Sequence, residues 1–388
     1  VGARSPPESK EAIASYDEIV KEIKLGLQEC GRKLGTHIRK GKRIKRVREA
    51  QLHREVHPAH RHRPAGDPRL QDKERDETVE NSVKAFAQML RMMAQSKEMV
   101  ETDDTATKRE AYYNSKNWGD AKFNDQPESD TVMDDIEAMF SLHGLSREQL
   151  RFKPAEHGGS VAGNLLIWDH DLETGERESI DCARMGSSAW KIPARVEHLE
   201  FETTADFILA IETNGAYDRL ASHKFWRDHN CILVEMGGVP TRACRRFLRR
   251  LSESRNLPVY AFVDCDPYGI ANIYRSLKVG SGNAAHINQF FCVPDAKFLG
   301  VTPQDIIDYG LREKDAVHPL KDVDIKRCKD ALKNDPFFQS HKEWKKALEQ
   351  LLKMGIRAEQ QSFAAYDLNF VIREYLPEKL KNPKSFLP

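Results

Sequence analysis

Three short apolar runs separated by helical stretches restrict what this chain can fold into. FILAIE ends at Glu212, CILVEM runs up to Gly237, and PVYAFVD ends at Asp264. A helical stretch reaching Trp226 fills the first gap, and one from Thr241 to Ser254 fills the second. Short apolar strands alternating with helices form a parallel, doubly wound sheet. In such sheets functional groups gather beyond the carboxyl ends of the strands. Glu212, Asp264 and Asp266 all fall there.

A single carboxylate at a strand end is often a helix cap. Here VDCDPYG supplies an Asp-x-Asp pair beside a turn made by Pro267 and Gly269, and Glu212 adds a third acid. Unpaired carboxylates in one crevice repel one another, and a cation relieves the repulsion. Hard oxygen donors of this kind suit Mg²⁺, above all where the ion also binds phosphate oxygens. The helix between the second and third strands adds basic charge. Cys244, Phe247, Leu248 and Leu251 form its apolar stripe, which predicts that Arg242, Arg245, Arg246, Arg249 and Arg250 face solvent or a ligand. No acidic residue interrupts that row before Glu253, so phosphate contact by Arg242, Arg245, Arg246 and Arg249 stands beside a solvated helix face.

The second informative stretch is Thr105 to Trp118, TATKREAYYNSKNW. In a helix Arg109 lies one turn from Tyr113, while Tyr112 points about a quarter-turn away. A phenol with an ordinary pKa of about 10 needs a cation to become a nucleophile near neutral pH. Arg109 is placed to supply it, with Lys108 as a further phosphate contact, and one of the two tyrosines is expected in the core. An amphipathic helix that packs both rings is the alternative.

Val79, Val83, Phe86, Met89, Leu90 and Met93 mark a long helix before this stretch, and Val132, Ile136, Met139 and Phe140 mark one after it, capped by Ser129 or Asp130 and ended by Gly144. Three helices followed by the extended stretch Gly158 to Trp168 look like a winged-helix unit, a module that sets a helix into the DNA major groove. Residues 158–200 read as short strands, with Val161, Leu165, Ile167, Ile180 and Ile192 as inward positions.

The net charge of +1 gives no global sign of a polyanion partner, so a nucleic-acid surface must be a local concentration of Lys and Arg. No apolar run approaches a membrane span and VGARSPPESK lacks a signal-peptide core, so a cytosolic protein is expected. The seven scattered cysteines never form CxxC, which argues against a disulfide framework or zinc ribbon. Residues 11–30 carry helical periodicity, but Arg39 to Arg48 holds seven basic residues in ten, and the next window is rich in His and Pro. That stretch reads as a linker or a DNA-contacting arm; His53 and His57 make a poor chelate beside Pro58.

KREAYY, IETNGAYDRL, GGVPTR, VDCDPYGIANIY, FLGVTPQDI and HPLKDVDIKR together resemble the A subunit of the archaeal type IIB topoisomerase, topoisomerase VI, a relative of the eukaryotic meiotic break-forming transesterase. The resemblance runs from about residue 73 to the C-terminus. It implies an α/β multidomain protein: an N-terminal helix and basic extension over 1–72, a winged-helix (CAP-like) domain over 73–157, and a Toprim domain with flanking strands and C-terminal helices over 158–388. It further implies Tyr113 as the DNA-attacking nucleophile with Arg109 as its partner, and Glu212, Asp264 and Asp266 as Mg²⁺ ligands.

The implied activity is ATP-dependent duplex passage through a transient 5′-phosphotyrosyl break, relaxing supercoils and decatenating DNA. The implied partners are DNA, a second copy of the A-type chain in a homodimer, and a GHKL-type B subunit that binds the ATP in an A2B2 heterotetramer; this chain has no Walker-type loop. Arg43 to Arg69 departs from the family pattern, and out-of-frame reading of part of the gene is one explanation. Two other classes remain open: a HAD-like phosphatase with Asp264 as nucleophile, and a non-catalytic winged-helix DNA-binding protein.

Overall fold

The computed structural model describes residues 73–154, 158–170, 176–186, 188–280 and 285–388. The predicted helix at 11–30, the basic stretch and the Arg43 to Arg69 segment lie outside these residues. The chain divides into two compact units, one comprising residues up to 155 with 282–289, the other 156–281 with 290–388.

The first unit is helical. Helix α1 (Lys73–Glu101) leads through the two-residue strand β1 (Ala106–Thr107) into α2 (Lys108–Asn114), and α3 (Gln126–Phe140) follows. Strand β2 (Phe152–Lys153) returns to pair with β1 in parallel. Met92, Met93, Met99, Ala111, Phe123, Met133, Ile136, Phe140 and Phe152 form the core, so the methionine stripe of α1 is packing. The cap of α3 is Asp125, whose side chain accepts from Glu128 N at 2.9 Å, rather than the expected Ser129 or Asp130. Pro127 pre-sets the first helical turn just behind that cap and moves the start upstream. Gly144, at φ 77°, ends the segment as expected.

In the second unit a six-stranded sheet runs in the order β11 (Lys297–Gly300), β10 (Val259–Phe262), β8 (Phe207–Ile211), β9 (Cys231–Glu235), β3 (Ser160–Gly163), β6 (Trp190–Lys191). The first four strands are parallel; β3 pairs antiparallel with β9 and with β6. Every residue of β8 and β9 is buried, which is why both read as continuous apolar runs. Each large apolar side chain buried there contributes about 2 kcal/mol. A separate three-stranded antiparallel sheet holds β5 (Arg177–Asp181), β4 (Leu166–His170) and β7 (Glu200–Glu202).

The expected wing is therefore corrected. Gly158 to Trp168 adds β3 between β9 and β6 of the six-stranded sheet and starts the three-stranded one, because Val161, Leu165 and Ile167 are fully apolar partners for strands of the second unit. Gly159 makes the approach to β9 possible: at φ +106°, a Cβ there would lie 1.9 Å from Glu235 O.

Chain order and strand order disagree at one place. From β8 the chain passes through α4 (Asn214–Ser222) to β9 on one side. It then runs through α5 (Arg242–Arg255) across to β10 on the other side of β8. The strand order thus reverses between β8 and β10, and the carboxyl ends of those two strands flank the switch-point crevice. Asn256, at φ 52°, stops α5 in the left-handed conformation asparagine tolerates. Among the described residues no helix is long and apolar enough to cross a membrane, and the six described cysteines are buried and unbridged.

Candidate active site and metal centre

Helix α2 is short and would be marginal alone. A capping box fixes its start: Glu110 N donates to Thr107 Oγ1 at 3.2 Å and Thr107 N to Glu110 Oε2 at 2.6 Å. The box orients the next turn, where the two tyrosines separate. Tyr112 is half-buried, donates its hydroxyl to Asn124 O at 3.4 Å, and has Lys116 Nζ 4.2 Å from its ring centre. Tyr113 is 56% exposed, and the Arg109 guanidinium carbon lies 5.9 Å from its ring centre. The second tyrosine is thus accessible while the first packs against the core of the first unit. Lys108 pairs with Asp130 at 3.4 Å and stays partly exposed.

The acids occupy the switch-point crevice of the second unit. Glu212 follows β8 and is buried, and its Oε2 accepts from Asp264 N at 2.8 Å. Asp264 Oδ1 accepts from Gln360 N at 2.7 Å, and Asp266 Oδ1 from Gly269 N at 2.5 Å. Gly269 also lets the turn close: a Cβ there would lie 2.9 Å from Asp264 O and 3.2 Å from Asp266 Oδ1. Burial, together with neighbouring carboxylates, pushes the Glu212 carboxyl up to about 8 and the Asp264 carboxyl to about 7; burial raises Asp266 as well.

No three His, Cys, Asp or Glu side chains among the described residues already enclose a point where an ion would sit. The donor set nonetheless fits a hard divalent cation. Each acid spends one oxygen on a backbone N–H, and no hydrogen bond among the described residues uses Glu212 Oε1 or Asp264 Oδ2. Mg²⁺ takes one or two carboxylates and fills its octahedron with water or phosphate oxygens, so a complete protein cage is not required. Glu235, at the end of β9, is a useful contrast. Ser160 donates to it, Asn214 Nδ2 lies 3.2 Å away and Lys191 Nζ 4.0 Å away, so its charge is already matched.

Arg357, Glu359 and Gln360 also line this centre and were not legible in the sequence. Arg357 ends β13 (Ile356–Arg357) and the other two follow it; among the described residues this strand pairs only with β12 (His318–Pro319) and is too short for any periodicity. Gln360, 1% exposed, joins both strand ends: Nε2 donates to Phe262 O at 2.5 Å and Oε1 accepts from Thr213 Oγ1 at 2.7 Å.

The arginine row of α5 differs from its expected orientation. Arg245 and Arg246 are 7% and 4% exposed. Arg245 Nη1 reaches Ser276 O at 3.4 Å; Arg246 pairs with Glu197 at 3.0 Å and donates to Phe290 O at 2.8 Å. Arg249 donates to Cys292 O at 2.9 Å and pairs with Glu253, and Arg250 donates to Val196 O and to Leu199 O. These guanidiniums tie the helix to carbonyl-rich loops. Arg242 is half-buried with its guanidinium 4.6 Å from the Phe291 ring centre.

Comparison with known proteins follows the same division of the chain. Residues 207–380 match the family of Toprim domains from the topoisomerase 6 A subunit and Spo11, residues 155–205 the "All-beta domain in DNA topoisomerase VI alpha subunit", and 84–151 "Type IIB DNA topoisomerase". The A subunit of type 2 DNA topoisomerase 6 from Methanocaldococcus jannaschii is 54% identical over 318 residues, covering 82% of this chain and 83% of the relative. The chain belongs to the family of DNA topoisomerase VI A subunits. The corresponding subunits from Methanothermobacter thermautotrophicus and Pyrococcus abyssi are 40% identical over 300 residues and 37% over 314, each covering 77% of this chain and 80% and 78% of the relatives.

Family membership makes the chain a type IIB topoisomerase subunit with a Toprim domain and replaces the phosphatase and non-catalytic alternatives. Topoisomerase VI also has a B subunit, and residues 6–50 match a family described as "Topoisomerase VI B subunit, transducer".

Proposed function

We propose that this chain cuts and rejoins duplex DNA with Tyr113 as nucleophile. The carrying observation is the division of labour between adjacent tyrosines: Tyr112 braces α2, and Tyr113 stands exposed one turn from Arg109. The Tyr113 oxygen attacks phosphorus, the bond from phosphorus to the 3′-oxygen breaks, and the phenolic proton passes to that leaving oxygen. The products are a 5′-phosphotyrosyl link and a free 3′-hydroxyl, and the reverse reaction reseals the strand. Arg109 stabilises phenolate and phosphate charge. Lys108 and Arg242 contribute phosphate contacts, and α2 with its neighbours is the CAP-like docking module. Mg²⁺ held by Glu212, Asp264 and Asp266 would supply charge neutralisation at the phosphate or the leaving oxygen. The acids acting on one Tyr113 come from the second protomer of a homodimer, so both strands are cut together.

The test is incubation of the chain and a topoisomerase VI B subunit with supercoiled DNA, Mg²⁺ and ATP, stopped with denaturant. Protein attached to 5′ ends in the wild type and absent from Tyr113→Phe supports the reading; an adduct that persists in the variant overturns it.

ATP is bound and hydrolysed by the B partner of an A2B2 assembly, and duplex passage follows from that cycle. The match of residues 6–50 to a B-subunit transducer supports the partnership and adds a feature: a B-type stretch precedes the A-type units on one polypeptide. We infer that this joining is genuine in the native protein. No lysine lies between Lys45 and Lys73, so endoproteinase Lys-C releases Arg46 to Lys73 as one peptide spanning the join. Its detection in protein from the source cells supports the joining. A genomic reading frame that closes within this stretch contradicts it and leaves the out-of-frame explanation.

A further inference from the structure

The segment carrying Arg357, Glu359 and Gln360 runs antiparallel beside the Asp264–Asp266 turn. Cys265 N donates to Ala358 O at 2.8 Å, and Ala358 N donates back to Cys265 O at 3.2 Å. That single bridge places Gln360 N on Asp264 and sets Arg357 between two acids: its Nη1 is 3.6 Å from Asp266 Oδ2 and 3.6 Å from Glu359 Oε1. Both distances are those of an ion pair without a hydrogen bond. Arg357 Nε, moreover, is buried with no hydrogen-bond partner among the described residues. The guanidinium is held by charge and not by a fitted set of acceptors, unlike Lys379, whose Nζ lies 3.0 Å from Asp305 Oδ1 and 3.2 Å from Oδ2. A cation held this loosely is easily displaced by a stronger one.

We propose that Glu359 is a fourth carboxylate of the divalent-cation site and that Arg357 is the resident counter-charge a bound divalent cation displaces from Asp266 and Glu359. The proposal rests on the reading of Glu212, Asp264 and Asp266 as the Mg²⁺ centre. Glu359 repels the charged forms of Glu212 and Asp264, and Arg357 favours the charged forms of Asp264 and Asp266, so the two residues act with opposite sign on this centre and meet at Asp264. Glu359 is also accessible, with a side chain 42% exposed, so a ligand could meet it without rearrangement of the core.

The opposite signs define the test. Mn²⁺ binding to the full chain is followed by the electron-spin-resonance signal of the free ion, and Mg²⁺ binding by calorimetry, for the wild type, Glu359→Gln, Arg357→Gln and Glu212→Gln; melting temperatures in chelator are read alongside. Removing one unit charge beside a divalent ion changes its affinity by about tenfold. Glu359→Gln is expected to weaken binding by that factor with an unchanged melting temperature, and Arg357→Gln to tighten it by a similar factor. Two variants that both weaken binding, or that both leave it unchanged, overturn the proposal. If Glu212→Gln also binds as the wild type does, the underlying metal reading fails with it; if Glu212→Gln alone loses binding, only the role of Arg357 and Glu359 is lost.

Discussion

Replacing Glu212 by Gln should make the metal-free protein more stable and at the same time deaf to Mg²⁺. Burial and neighbouring acids raise the Glu212 carboxyl from its ordinary 4.5 to about 8. The folded state therefore holds this proton more tightly than the unfolded chain does, and stability falls as pH rises through the interval from 4.5 to 8. At pH 7 the cost is on the order of 3 kcal/mol, at 1.36 kcal/mol for each pH unit above the ordinary value. Gln is neutral throughout and still accepts from Asp264 N through its carbonyl oxygen.

Thermal melts in chelator should place Glu212→Gln above the wild type by roughly 6–12 °C at pH 7, on the scale of about 2–4 °C per kcal/mol for units of this size. The gap should close toward pH 4.5. Excess Mg²⁺ stabilises whatever state binds it, so it should raise the melting temperature of the wild type and leave the variant unmoved. A gap that does not vary with pH would show that the Glu212 carboxyl is not its source, and a variant stabilised by Mg²⁺ as much as the wild type would remove Glu212 from the metal centre.

Other substitutions separate chemistry from scaffolding. Gly159→Ala puts a methyl group into Glu235 O at a left-handed φ and should cost about 3 kcal/mol or more in denaturant melts. Arg246→Ala leaves Glu197 and the Phe290 carbonyl without their donor; it should destabilise by about 2 kcal/mol in the same melts while leaving the salt dependence of DNA binding unchanged. Arg109→Ala should lower the single-turnover cleavage rate about 10²-fold with no change in melting temperature, because the side chain is exposed and, among the described residues, lies only against the Tyr113 ring.

The Toprim sheet was legible because β8 and β9 are buried throughout and β10 nearly so, and all three print apolar runs, with Glu212 one residue past the end of β8 and Asp264 two past the end of β10. The tyrosine helix was legible through the one-turn spacing of Arg109 and Tyr113, whereas the capping box of Thr107 and Glu110 that fixes its start emerged only in the structure. Other features were hidden for identifiable reasons. The stripe logic that sent the arginines of α5 outward ignores that a guanidinium on a long stem can reach buried carbonyls, as Arg245 and Arg246 do. Ser160 to Gly163 is too short to declare its partner, and its registers with Ile232 to Val234 and with Trp190 to Lys191 place it in the second unit. Gln360 meets Asp264 across ninety-six residues of chain, a contact that spacing cannot reveal.

In the proposed reaction Tyr113, and not its neighbour, carries the DNA. Trypsin cleaves after Arg109 and Lys116, releasing EAYYNSK with both tyrosines in one short peptide. Tandem mass spectrometry of that peptide from nuclease-trimmed, denaturant-trapped complexes assigns the nucleotide remnant to one ring. A 5′-linked remnant on Tyr113 is the expected result; a remnant on Tyr112, or an adduct mapped to another peptide, would contradict the account.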